Sequence, residues 1–272
     1  MTQQDIDASE APLIEHLIEL RRRLIYCVLG FIAAFILSFV FSSDILHYLI
    51  LPFKWGTGED VSLISIKLLG VFLVKLKIAF FGGLFIGFPL IATQVYRFVA
   101  PGLYKHEKQA FLPYLIATPV FFLLGAALVY FFLLPVAIHF FYALAAGASG
   151  DGQGIELMPD IEAYLDFVMM LILAFGLCFQ LPVILTLLGQ VGIVSYEQLR
   201  SGRKFAVVGV FIVAAVLTPP DPISQIAMAV PLMGLYEVSV QAVRFLEARR
   251  KKKQAAEDAK EAAEEKSAAE KA

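Results

Sequence analysis

The sequence predicts an all-α integral membrane protein with six transmembrane helices, both termini on the cytoplasmic side, and short fifth and sixth spans. Three observations lead there. Of 272 residues, 59% are hydrophobic and 17% charged, with a mean hydropathy of +0.77, whereas soluble domains carry about 25% charged residues. Several apolar runs reach the roughly 20 residues that a helix needs to cross a hydrocarbon core about 30 Å thick. Lys and Arg are also distributed unevenly about those runs. Residues 244–272 alone hold nine Lys/Arg and seven Asp/Glu, so the body is more apolar than the average. A disordered, collagen-like or disulfide-scaffold chain is excluded. The net charge of −2 leaves no large basic face for nucleic acid.

By composition the chain divides into a cytoplasmic amphipathic segment (1–23), a transmembrane domain (24–240) and a charged tail (241–272). In the first segment Leu13, Leu17, Leu20 and Leu24 share one helical stripe, with Glu15, Glu19, Arg22 and Arg23 on polar faces. This predicts an approach helix lying at the membrane interface. A cleavable leader is not expected, because the segment is acid-rich and the following apolar run lacks a small-x-small cleavage site.

Four long runs follow, 24–41, 78–95, 111–138 and 167–188, each free of Asp, Glu, Lys and Arg. The third would be about 42 Å long as one helix, and Pro113, Pro119 and Pro135 offer places for it to bend. Two shorter runs, 205–217 and 223–236, flank Thr218-Pro219-Pro220-Asp221-Pro222. Pro219 ends the first helix, while Asp221 can cap the second with Pro222 at its first position. A short pair of this kind thins the bilayer, lies beneath a polar vestibule or forms a re-entrant hairpin.

Six spans place Arg21–Arg23, Arg97, Lys105, Lys108, Arg200, Arg203, Lys204 and the tail cations on one side. The other side keeps only Lys54, Lys67, Lys75 and Lys77. The positive-inside rule then puts both termini in the cytoplasm. The stretch 140–166, with five acids and no Lys or Arg, suits an outer position. After Arg249–Lys253, a basic cluster suited to anionic lipid, the Ala/Glu/Lys-rich end reads as a frayed helix or disordered tail.

Chemistry-bearing groups are sparse. Cys27 and Cys178 lie within apolar runs, where a lone thiol acts as a small hydrophobe. No CxxC, HExxH, GxGxxG or P-loop pattern occurs, so no cofactor, metal or nucleotide is expected. Gly147-Ala148-Ser149-Gly150 matches the GxSG of intramembrane serine proteases, but Ser149 falls in a Gly-rich outer loop. Every histidine (16, 47, 106, 139) precedes it, which leaves a nucleophile without its context. Within the spans, Gln180 stands two residues before Pro182, placed either to bond a carbonyl that the proline frees or to dock another helix. Gln225 lies in the first turn of the sixth helix. At the inner surface, Glu19 stands within reach of Arg22 and Arg23 at i,i+3 and i,i+4, and Glu107 lies in the first inner loop.

Three stretches carry a more specific likeness: His16-Leu17-Ile18-Glu19-Leu20-Arg21-Arg22-Arg23-Leu24, Phe98-Val99-Ala100-Pro101-Gly102-Leu103-Tyr104-Lys105-His106-Glu107, and Leu217-Thr218-Pro219-Pro220-Asp221. With span number and topology, they resemble TatC, the multispanning subunit family of the twin-arginine protein translocase, from about residue 12 to about 245. The resemblance implies a receptor that recognises twin-arginine signal peptides of folded cargo at the cytoplasmic face. It also implies assembly with single-span TatA and TatB, self-association in the complex, and transport driven by the protonmotive force without ATP hydrolysis by this chain, in the cell inner membrane. It assigns Glu19 and Glu107 to the acidic part of the signal-binding site, with Arg21, Phe98, Pro101 and Tyr104 shaping it. Pro52 in the outer loop, and Asp221 and Gln225 at the last hairpin, match positions tied to activity or assembly. Gln180 falls where relatives commonly carry Glu, leaving a polar partner without a titratable charge.

The residues suit that role, because two arginines presented together ask for two acids on one surface, and guanidinium engages carboxylate bidentately where Lys does so poorly. A small solute or ion transporter is the competing function. It would show inverted repeats and polar residues converging at mid-bilayer, and the sequence shows neither. A structural membrane scaffold remains a third reading of the composition.

Overall fold

The computed structural model describes residues 3–57, 63–103, 112–147, 159–217 and 222–270. The described residues form α1 (Gln3–Val40), α2 (Ser42–Thr57), α3 (Gly70–Leu103), α4 (Leu112–Leu128), α5 (Leu134–Gly147), α6 (Ile161–Cys178), α7 (Leu181–Val191), α8 (Tyr196–Leu217) and α9 (Pro222–Glu270), with a π-helical turn at Val129–Leu133. The only extended pairing among them is an isolated bridge between Ile64 and Asp160. The all-α expectation holds. Large apolar side chains face outward, as when Leu24, Leu29 and Ile36 are 59%, 58% and 57% exposed; such a surface is compatible with lipid rather than water as solvent.

Five helical stretches are long and apolar enough to cross a membrane: His16–Val40, Gly70–Phe98, Pro113–Ala145, Ile161–Val191 and Gln225–Lys252. Helix α8, of 22 residues, is not among them. Glu197, Arg200, Arg203 and Lys204 occupy its first half, leaving 205–217 as its apolar part.

Residues Met1–Leu177 form one compact unit and Cys178–Ala272 a second. In the first, α1 packs along α3 at a stripe of small residues. A Cβ at Gly83 would lie 3.1 Å from the Phe35 Cα, and one at Gly82 would collide with the Ser38 hydroxyl, so the backbones approach as closely as membrane helices do over small residues. Deeper in this unit Phe122 is 2% exposed, stacked on Phe88 with centroids 3.9 Å apart. In the second unit, Leu199 of α8 packs on Val240 and Val243 of α9. Gly192, at φ 84°, caps α7 with its N–H on the Gly189 carbonyl, a left-handed position that glycine adopts without a Cβ penalty.

Several expectations are corrected. No separate approach helix precedes the first span: α1 runs unbroken through residue 23, because nothing between Leu13 and Val40 interrupts a helix. The outer loop that contains Pro52 is helical as well, and Pro52 is buried inside α2. The third run is not one α-helix. Before Pro135 the Leu134 N–H bonds the Val129 carbonyl, five residues back, the wide turn through which a chain often accommodates a lost donor. The fourth run breaks at Phe179-Gln180, and α7 restarts with Pro182 in its first turn. The last helix does not end at Tyr236. Glu237 is neutralised by Arg203 at 2.8 Å, Ser239, Val240 and Val243 beyond it are fully buried, and the Ala/Glu/Lys-rich continuation stays helical to Glu270, as its propensities favour.

Candidate functional site

The charged stretch 15–23 of α1 and the last turns of α3 are joined by an aromatic contact. The His16 ring stacks on Phe98, centroids 4.3 Å apart and planes 23° from parallel. One turn beyond His16, the Glu19 carboxylate already holds a guanidinium: Arg23 Nε donates to Glu19 Oε1 at 3.0 Å and Arg23 Nη2 donates to the same oxygen. Both side chains are more than two-thirds buried. Of the two spacings open in the sequence, the i,i+4 pair with Arg23 forms. Arg21 and Arg22 remain exposed. Pro101 lies in the last turn of α3; Tyr104, Glu107 and Ser149 lie outside the described residues.

Of the residues that the resemblance ties to assembly, Pro52 belongs to the first unit and Gln180 and Gln225 to the second. Pro52 sits in α2, where it withholds a helical N–H from the Tyr48 carbonyl, and two tyrosines donate to carbonyls of this turn. The Tyr130 hydroxyl donates to the Tyr48 carbonyl at 2.7 Å and the Tyr164 hydroxyl to the Leu49 carbonyl at 2.8 Å. Trp55 packs against Tyr130 and Phe131, edge-on and stacked. Gln180 is buried at the head of α7 with no side-chain capping bond. Gln225 Nε2 donates to the Phe211 carbonyl at 3.2 Å, tying α9 to α8. Asp221 lies outside the described residues.

Sequence reasoning missed an ionic clasp in the first unit. Lys67 Nζ lies 2.5 Å from Glu162 Oε2, a carboxylate only 5% exposed, and Lys77 Nζ bonds both Asp166 oxygens at 2.8 Å. The Ile161 N–H donates to the Ile64 carbonyl between them. The Glu162 carboxylate, as hydrogen-bond partner, holds the Lys67 ammonium above its ordinary range. The available sign was the coincidence of four stranded lysines and five acids on one predicted side of the membrane.

Residues 15–231 match the family described as Sec-independent protein translocase protein (TatC). The chain belongs to the TatC family. A Sec-independent protein translocase protein TatC of Magnetococcus marinus is 42% identical over 254 residues, covering 93% of this chain and 92% of the relative. The TatC of Escherichia coli K12 is 37% identical over 236 residues, covering 86% and 88%. A crystal structure described as the twin arginine translocase receptor TatC superposes with a TM-score of 0.74 at 35% identity, over 85% of this chain and 99% of that one. This TatC-family chain is thus a multi-span membrane component of a protein translocase. The family match ends at residue 231, in the first quarter of α9, so the charged part of that helix lies beyond it.

Proposed function

We propose that this chain is the receptor core of a twin-arginine translocase, binding twin-arginine signal peptides of folded proteins at the cytoplasmic face of the cell inner membrane. The observation that carries the reading is the Glu19–Arg23 pair beside the His16–Phe98 stack. It supports the reading because an acid that accepts guanidinium stands on α1 one turn from the contact with Phe98 of α3, ahead of Pro101 in the last turn of α3 and of Tyr104 and Glu107 in sequence. Arg23 acts as an internal occupant, and an incoming arginine pair exchanges with it, one guanidinium on Glu19 and the other on Glu107. Arg21 and Phe98 shape the rim. The exchange conserves charge pairing, so it demands little net desolvation, and the planar fork favours Arg over Lys. The chain acts by binding and assembly rather than catalysis, with transport drawing on the protonmotive force.

TatA and TatB are the partners in this reading, and the complex contains more than one copy of the chain. Their single spans dock at the α8–α9 hairpin, where the apolar stretch 205–217 thins the bilayer and Asp221, Gln225 and Gln180 offer polar contacts; Pro52 of α2 is a further assembly residue. Both termini lie in the cytoplasm, as the lysine and arginine placement requires.

The test is site-specific crosslinking of a twin-arginine signal peptide in membranes. Glu19→Gln and Glu107→Gln each weaken the crosslink while the chain still inserts; unchanged crosslinking in both variants would remove the acids from the site. Crosslinks from 205–236 to TatA or TatB test the docking surface, and their consistent absence would count against it.

A further inference from the structure

We propose that the α8–α9 end of the second unit is a binding surface for anionic phospholipid headgroups, formed by cations held over aromatic rings, two of them exposed. Three such contacts occur there. Arg249 lies 4.4 Å from the Phe245 centroid, Lys204 5.1 Å from Phe205 and Arg244 5.6 Å from Tyr196. Phe205 and Phe245 are 71% and 58% exposed, an expensive display in water but a favourable one at a bilayer interface, where an apolar ring faces the chains and the cation above it faces phosphate.

The charge on this surface is net positive. Arg249, Arg250, Lys251 and Lys252 are all exposed. Of the acids described between residues 192 and 253, Glu237 is paired with Arg203 at 2.8 Å, which leaves Glu197 and Glu247, the latter accepting the Tyr196 N–H at 2.7 Å, against the four collar cations. Farther along α9 the sign reverses, with Glu257, Asp258, Glu261, Glu264, Glu265 and Glu270 against Lys260 and Lys266. An anionic surface attracts the collar at 249–252 and repels the following turns, so the helix is anchored at the collar and its end is directed away from the lipid.

The experiment uses the full chain purified in neutral detergent, with thermal stability followed as phosphatidylglycerol or phosphatidylcholine is added to the micelles. Phosphatidylglycerol should raise the Tm at a concentration at least tenfold below that needed for phosphatidylcholine, with the preference weakened in 0.5 M salt. Arg249→Gln/Arg250→Gln/Lys251→Gln/Lys252→Gln should abolish the preference, and Arg249→Lys/Arg250→Lys should keep most of it. If the quadruple variant fails to fold, Arg249→Gln/Arg250→Gln alone should reduce the preference severalfold. Equal response to the two lipids, or a preference that survives loss of the collar, would overturn the proposal. So would an equal response to inorganic phosphate or to polyglutamate, which would mark a free-anion or acidic-protein site instead.

Discussion

The Tyr130 hydroxyl donates to the Tyr48 carbonyl at 2.7 Å, the acceptor that Pro52, four residues later, leaves without its helical N–H. Tyr130 reaches it from the π-helical turn ahead of Pro135. One proline-induced irregularity therefore supplies the donor that another requires, and α2 is held against the third hydrophobic run with its Tyr48 carbonyl satisfied. Removing the hydroxyl, Tyr130→Phe, should cost about 1 kcal/mol of stability. In a Pro52→Ala background, where residue 52 regains its N–H, the same change should cost much less. A double-mutant cycle on unfolding in micelles measures the difference; equal costs in the two backgrounds would show that the hydroxyl does not serve the proline.

The close approach of α1 and α3 depends on the absence of side chains at Gly82 and Gly83. Gly83→Leu should separate the helices and destabilise the first unit by roughly 1–3 kcal/mol, the usual range for overpacking, read as a lower unfolding temperature. Gly209, where a Cβ meets no atom within 4 Å, provides the contrast: Gly209→Ala should be neutral or slightly stabilising.

Arg23 occupies Glu19 in the absence of peptide, so its loss should expose the acid rather than destroy the site. Arg23→Gln is predicted to tighten signal-peptide binding severalfold, while Glu19→Gln weakens it at least tenfold, about 1.4 kcal/mol. Fluorescence titration with labelled peptide distinguishes this exchange from a purely structural ion pair, for which both changes would act in the same direction.

Gln225 bonds the Phe211 carbonyl and so serves the α8–α9 hairpin before any partner arrives. Gln225→Leu should lower crosslinking of partner helices to 205–217 and should also loosen the hairpin, seen as faster amide exchange near Phe211. Unchanged exchange would detach Gln225 from that carbonyl.

What the sequence reveals depends on which interactions are local. Composition and run length display the helices, since lipid imposes one backbone solution on any long apolar segment, and Glu19–Arg23 follows from a four-residue spacing. The break at Gln180 and the π turn are half legible: Pro182 and Pro135 mark where a donor is missing but not how the chain accommodates its loss. Glu237 ended the sixth run on paper because its neutralising partner Arg203 stands 34 residues away. Lys67 and Glu162, 95 residues apart, and Tyr130 and Tyr48, 82 apart, are set by tertiary packing, for which a periodicity argument has no term. The likeness to TatC rested on three short motifs, and two of them run into segments outside the described residues, so Glu107 and Asp221 are assigned by sequence alone.

The central claim is that the carboxylates of Glu19 and Glu107 select paired guanidiniums. Its most direct measurement is equilibrium binding of one signal peptide to the purified chain in two forms, Arg-Arg and Lys-Lys, at fixed salt. The account predicts at least tenfold weaker binding of the Lys-Lys form and loss of that preference in Glu19→Gln/Glu107→Gln. Equal affinity of the two peptides for the unaltered chain would contradict it.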